Sequence, residues 1–270
     1  MFRKRPLLRS LTHLLLFVLL LILLFPSKPS PAQTSFINQA LSITETETSS
    51  PALQTIQSYA RANGYSLSDW PSSLLELLER NPETEDFVLS YPTEHDKPHT
   101  VDLTAYLQQE DMPLFLQWDK RWGYLPYGKD LAALTACGPV CLSMVAFHLT
   151  GDANLSPDRI ISFALENGYC SPGNGSSWTL ISQGAEKLGL TATELPLVKQ
   201  RIFDQLEAGN PVICVMGPGD FTTTGHFIVL TALEDGLLCV NDPNSRANSE
   251  KRWDFDDISD QIRNLWALNV

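Results

Sequence analysis

With 270 residues, 43% of them hydrophobic and 19% charged, the chain can bury one sizeable core and carry additions to it. A formal net charge of −12 argues against a nucleic-acid binder, because phosphates demand a basic face. Five cysteines (Cys137, Cys141, Cys170, Cys214 and Cys239) are too few for a disulfide-stapled scaffold, and the lack of a CxxC pair argues against a zinc ribbon.

At the start, Arg3, Lys4, Arg5 and Arg9 precede an almost wholly apolar run over residues 11–25, which Pro26 ends. A basic start, a short apolar centre and then Ser30-Pro31-Ala32 fit a secretory signal cleaved after Ala32. The alternative is an uncleaved membrane anchor over residues 7–25, although that run is short beside the ~20 residues of a comfortable span. On either reading the rest of the chain is exported, secreted or extracytoplasmic. Losing residues 1–32 removes five positive charges and no acid, taking the net charge from −12 to −17. A neutral or basic substrate suits so acidic a domain better than an anionic surface does. Residues 33–50, rich in Ser, Thr and Gln, read as a linker.

Residues 51–111 read as a small helical region. Leu53, Ile56, Tyr59 and Ala60 recur at helical spacing and Gly64 stops the pattern. Ser72 and Ser73 lead into Leu74, Leu75, Leu77 and Leu78, and Pro82 starts another helix with acids in its first turn. No catalytic pattern falls here, and one role open to the region is to cover a groove as a pro-segment.

From Met112 to the end the pattern is that of a second domain, 112–270. Aromatic residues cluster at Phe115, Trp118, Trp122, Tyr124 and Tyr127. A helix begins at Cys137 and runs to about Leu149, stopped by Gly151. Further helices are expected over 156–168, 178–188 and 199–208, with a short strand over 191–195. Strand signals then dominate. Residues 211–216 form a buried run, and 226–233 and 237–240 flank the turn Glu234-Asp235-Gly236 as a hairpin. Residues 255–262 read as a helix and 265–268 as a closing strand. Helices first and an antiparallel sheet afterwards make an α+β domain. There is no internal repeat.

Cys137 lies in Thr135-Ala136-Cys137-Gly138-Pro139-Val140-Cys141. Proline suits the first turn of a helix, so Cys137 is placed at a helix N-terminus, where the dipole favours the thiolate nucleophile. The competing reading is a small buried apolar residue, which fits Cys141 better. Cys214 and Cys239, in apolar strands, read as core or as a cross-strand disulfide, and Cys170 sits in a Gly-rich loop. For a base, His13 lies in the export segment, and His95 and His99 in a charged, solvated loop. His148 is about 16 Å along the helix from Cys137, at ~1.5 Å per residue, too far to act. His226 remains, opening an apolar strand after Gly225. Antiparallel pairing puts it about level with residues 244–245, so a bulge or twist would bring Asp242, or failing that Asn241, within reach to orient it. The ordinary readings are a structural histidine at a strand end and an Asp-Pro turn.

Four segments then carry a resemblance: Gln117-Trp118-Asp119-Lys120-Arg121-Trp122-Gly123, Ala136-Cys137-Gly138-Pro139, Gly225-His226-Phe227-Ile228-Val229 and Asn241-Asp242-Pro243. In this order they resemble the papain-like cysteine peptidases of the double-glycine, bacteriocin-processing type. The stand-alone, secreted bacterial relatives are closer than the domains fused to transporters. The resemblance covers about 113–270. Gly173-Asn174-Gly175-Ser176-Ser177-Trp178 and the stretch from Pro82 to Val88 also resemble the secreted relatives, while Val140 stands where a Thr is common. It implies a papain-like fold with N-terminal helices on an antiparallel sheet. It also implies a cysteine peptidase site with Cys137 as nucleophile, His226 as base, Asp242 as orienter and Gln117 as oxyanion donor. Gln117 rests on the resemblance alone, since by itself it reads as a surface glutamine. Trp178, Asp220 and Thr224 are candidates to line the groove. The expected partner is a peptide or protein substrate. No nucleic acid, metal or organic cofactor is implied, and a membrane would be met only through an uncleaved anchor. The alternatives are a non-catalytic peptide- or cell-wall-binding module on the same fold, and a cell-wall amidase or transpeptidase.

Overall fold

A computed structural model describes residues 50–171, 173 and 175–270. The expected signal or anchor (1–32) and the linker up to residue 49 lie outside the described residues. Thr55–Val270 form one compact unit; of the other, Met1–Gln54, the described part is the start of the first helix.

Helices α1 (Pro51–Asn63), α2 (Ser72–Arg80) and α3 (Glu85–Glu94) come first, followed by a ribbon of β1 (Pro126–Tyr127) and β2 (Asp130–Leu131). Next are α4 (Cys137–Thr150), α5 (Pro157–Glu166), a second ribbon of β3 (Cys170–Ser171) and β4 (Gly175–Ser176), and β5 (Thr191–Glu194). Helix α6 (Lys199–Glu207) leads into β6 (Val212–Met216), β7 (His226–Glu234), β8 (Leu237–Asn241), β9 (Arg252–Trp253) and β10 (Ile262–Asn269).

An apolar run such as Val212-Ile213-Cys214-Val215-Met216 needs cover on both faces. It receives it inside a six-stranded antiparallel sheet of order β5-β10-β6-β7-β8-β9. Alternate side chains serve opposite cores. Ile213, Val215, Phe227, Val229, Trp266 and Leu268 pack with α4 and α5. Val212, Cys214, Met216, Ile228, Leu230 and Val240 pack with Ile202 and Leu206 of α6 and with Phe255 and Ile258. The α+β class and the antiparallel sheet expected from the sequence are what the chain adopts.

Four elements differ from expectation. The closing strand is longer than 265–268 because β10 lies between β5 and β6 and pairs with both. That pairing claims Ile262, so the helix expected over 255–262 shortens to Phe255–Ile258 and a 3-10 turn, Ser259–Gln261. The helix expected over 178–188 is a widened π turn, Leu180–Gly184, followed by Ala185–Lys187. Pro82 starts not α3 itself but a 3-10 turn, Pro82–Thr84, which runs into it.

The N-terminal helices pack closely on the aromatic segment. A side chain at Gly123 would come within 2.7 Å of the Phe87 ring and 2.9 Å of the Asp119 carbonyl, so only glycine admits this approach. Phe87 also stacks on Tyr124 at 4.3 Å, and the Tyr124 hydroxyl donates to the Phe87 carbonyl at 2.7 Å. His95 and His99 are half-buried rather than solvated, because their rings lie against Tyr91 and Tyr124.

Candidate active site

Cys137 is the first residue of α4. Ala136 before it has no side chain to cap the helix and Pro139 has no N–H to satisfy, so the positive end of the dipole is left to the thiol. The helix is apolar all round, with Gly138 to Phe147 buried, and sits between the sheet and α5. At about 1.5–3 kcal/mol for each large buried apolar side chain, Leu142, Met144, Val145 and Phe147 make it a firm mount for its tip. Gly138 has a specific reason: a Cβ there would meet Ser176 at 2.9 Å, so the β3–β4 ribbon can close against the helix start. Ser176 is fixed in turn by a 2.7 Å hydrogen bond with the Tyr127 hydroxyl.

His226 opens β7 opposite Met216 and is 7% exposed. Its Nε2 faces the Asp242 carboxylate at 2.7 Å, which leaves Nδ1 for Cys137. Asp242, 1% exposed, follows the end of β8. Its Oδ1 also accepts from the Asn244 amide at 2.8 Å, and its Oδ2 from Asn248 Nδ2 at 2.8 Å. A bulge between Leu230 and Ala232 changes the β7–β8 register, so Val229 lies opposite Asn241. Strand alternation then separates the two orienter candidates. Asn241 shares the face of Val229 and donates to the Met112 and Pro113 carbonyls at 3.3 and 3.2 Å. Asp242 turns the other way, to His226.

Gln117 is buried, and two bonds tie it to the segments that carry the other candidate residues. Its backbone N–H donates to the Pro243 carbonyl at 2.7 Å, one residue past Asp242. Its Nε2 donates to the Ala133 carbonyl at 2.6 Å, four residues before Cys137. Gln117, Cys137 and His226 line one cavity of ≈ 380 Å³, together with Leu77, Arg80 and Asn81 from the N-terminal region and Asp220 and Thr224. A second cavity, ≈ 520 Å³, also touches Cys137 and His226 and is lined by Thr224, Trp178 and Ser176. Cys137 and His226 line both cavities, and Trp178, Asp220 and Thr224 each line at least one of them.

Burial opposes ionisation of Cys137, but the His226 hydrogen bond and charge, helped by the backbone of Phe227 and Gly138, hold the thiol below its ordinary pKa. Burial likewise works against a charged His226. The Asp242 charge and hydrogen bond, with Cys137 behind them, outweigh it and push the imidazole up to about 10. The pair therefore favours thiolate and imidazolium together. The other cysteines go the opposite way, because burial raises Cys141, Cys170, Cys214 and Cys239. All five are free thiols. A cross-strand disulfide between Cys214 and Cys239 is ruled out, since β7 lies between their strands. Cys141 and Cys214 are fully buried. Among the described residues no group of three or more His, Cys, Asp and Glu side chains is arranged to hold a metal ion, and no helix is long and apolar enough to cross a membrane.

Sequence reasoning missed the residues that hold Asp242. Asn248 lies on a one-turn helix, Arg246–Glu250, inside a segment with no periodic signal. Ser249 Oγ accepts from the Asp242 amide at 2.9 Å, and Trp118 donates to the Asn244 carbonyl at 3.0 Å. The one available hint was the density of Asn and Ser after Asp242, residue types that cap and turn.

A helix-borne cysteine facing a histidine on an antiparallel sheet is the arrangement of the papain-like fold. The chain belongs to the Peptidase_C39 like family, whose model matches residues 109–269. The chain is similar to the crystal structure of the peptidase domain of Streptococcus ComA, a bi-functional ABC transporter involved in a quorum-sensing pathway. That match has 20% identity and a TM-score of 0.41, covering 58% of this chain and 96% of that one. It is also similar to a candidate C39-like peptidase from Bacillus anthracis, at 15% identity and a TM-score of 0.36, covering 58% of this chain and 94% of the other. No curated protein matches the chain.

Proposed function

We propose that this protein is an exported cysteine peptidase that hydrolyses peptide bonds through Cys137, His226 and Asp242, with Gln117 as oxyanion donor. The observation that carries the reading is the buried relay from Asp242 Oδ1 to His226 Nε2 at 2.7 Å and on to Cys137, the one cysteine whose pKa is lowered among those that shift. Family membership supports the same chemistry. Export rests on residues 1–32, whose basic start and apolar run read as a signal or anchor.

In this reading a peptide lies along the cleft with its scissile carbonyl at Cys137. The thiolate attacks the carbonyl carbon, and the charge that develops on oxygen is met by Gln117 Nε2 and the Cys137 backbone N–H. One Gln117 amide proton is held by the Ala133 carbonyl, which aims the other. The His226 imidazolium gives its Nδ1 proton to the departing amine, leaving a thioester and a neutral imidazole. Water then attacks the thioester, His226 takes the water's proton, and release of the acid restores the ion pair. Asp242 keeps Nε2 as the donating nitrogen throughout, so Nδ1 is the one that exchanges protons.

The test is peptide-library hydrolysis by the native chain and by Cys137→Ala, with products identified by mass spectrometry and an added amine in a parallel sample. The reading expects free carboxyl products that vanish with the substitution. Amide products with the added amine would point to transfer instead, and full activity in Cys137→Ala would remove the assignment.

A further inference from the structure

We propose that Glu83 and Asn81, both outside the family-matched residues, are positioning residues that hold the Asp242 loop in register with His226. The proposal rests on the cysteine peptidase reading above. After β8 the chain turns through the Asp242–Ser245 bridge into the one-turn helix Arg246–Glu250. A turn with so little apolar burial holds one geometry only if it is tied from outside.

Both ties come from the corner between α2 and α3. The Glu83 carboxylate accepts from Ser245 Oγ at 2.8 Å, from the Arg246 amide at 2.9 Å and from the Ala247 amide at 3.4 Å. The two amides belong to the first turn of the short helix, where no intrahelical partner exists and a negative charge is favoured. Ser245 Oγ in turn accepts from the Asn248 amide at 3.2 Å, and Asn248 Nδ2 donates to Asp242 Oδ2 at 2.8 Å. Asn81 supplies the second tie. Its Nδ2 donates to the Asn244 carbonyl at 2.6 Å, while the Asn244 amide donates to Asp242 Oδ1 at 2.8 Å. The Asn81 side-chain oxygen accepts from the Glu83 amide at 3.1 Å, which joins the two ties. Each oxygen of Asp242 is thus held by an asparagine that the N-terminal region fixes. The segment before the family-matched residues accordingly helps to complete the site.

The test uses the full chain with Glu83→Ala, Glu83→Gln and Asn81→Ala. It reads Cys137 alkylation by iodoacetamide against pH, kcat and KM on a peptide substrate, and urea unfolding as a check of the fold. A looser Asp242 supports the imidazolium less, so the thiolate forms at higher pH. Glu83→Ala is expected to raise the acid limb of alkylation by about one pH unit, roughly a 10-fold loss of rate on that limb. On that same limb it should lower kcat about as much, with KM within about two-fold. Glu83→Gln keeps one acceptor for the short helix and should lose less, and Asn81→Ala should shift the limb in the same direction. Unchanged acid limbs in folded Glu83→Ala and Asn81→Ala, or equal shifts in the Ala and Gln variants, would overturn the positioning role. An unreactive Cys137 in the native chain would instead refute the peptidase reading itself.

Discussion

Exchanging Asp242 for Asn keeps the size of the side chain but removes a buried carboxylate 2.7 Å from the imidazole. A neighbouring opposite charge shifts a pKa by about 1–3 pH units, each costing about 1.4 kcal/mol. Burial keeps water and salt from screening this pair, so a change of about two pH units is a fair middle value. His226 falls by that amount from about 10, and the Cys137 thiolate, held by a weaker cation, forms correspondingly later as pH rises. On the acid side of the limb this is roughly 100-fold less thiolate. Hydrogen bonding adds a second cost. Asp242 accepts from His226, Asn244 and Asn248, whereas an Asn side chain offers one oxygen. If that oxygen keeps His226 and Asn244, its NH2 opposes Asn248 Nδ2, donor against donor, at about 1–3 kcal/mol. Asn248→Asp supplies an acceptor at that point, so the double variant D242N/N248D should recover part of the loss. The assay is the second-order rate of iodoacetamide alkylation at Cys137, mapped by mass spectrometry across pH on the full chain. The acid limb should lie lowest for the native chain, higher for the double variant and highest for Asp242→Asn. A limb in Asp242→Asn within about 0.3 pH units of native would show that the Asp242 charge does not hold the ion pair.

Further outcomes follow from the same geometry. Gln117→Ala should lower kcat about 10²–10³-fold with little change in KM, as loss of one oxyanion donor does; a loss under about three-fold by steady-state kinetics would exclude that role. For the native chain kcat/KM should be flat across neutrality. It should fall at acid pH as the thiolate, held below its ordinary pKa, takes up a proton, and fall again towards about 10 as His226 loses its own. An acid limb near the ordinary thiol value of about 8.5 would contradict the ion pair. Gly138→Ala forces a methyl against Ser176, 2.9 Å away. It should cost about 1–3 kcal/mol in thermal unfolding, and Ser176→Gly in the same chain should restore much of it; an unchanged Tm would show that the ribbon yields freely.

Much of this molecule was legible in the sequence because its signals are local. The apolar helix after Cys137 and the apolar run over 212–216 announce themselves by composition. The Asp235-Gly236 turn does so by the left-handed backbone it needs, which the structure adopts at φ 53 and 79. What stayed hidden depends on pairing over distance. The bulge between Leu230 and Ala232 decides which of Asn241 and Asp242 faces His226, and no residue in that strand signals it. The place of β10 inside the sheet, which lengthens it and shortens the helix before it, is a consequence of topology. Glu83 read as an acid at a helix start, yet its carboxylate contacts a loop more than a hundred residues away. The half-buried state of His95 and His99 arises in the same way, from aromatic rings that the fold brings alongside.

In the proposed function one thiol, Cys137, does the chemistry in partnership with His226. Titration of the native chain with substoichiometric iodoacetamide near pH 6 tests it directly, with modified cysteines identified by mass spectrometry and peptide hydrolysis measured on the same samples. Label should appear on Cys137 before Cys141, Cys170, Cys214 or Cys239, with activity lost in proportion to that label. Hydrolysis that persists when Cys137 is fully labelled, or label that distributes over the five thiols with no preference, would contradict it.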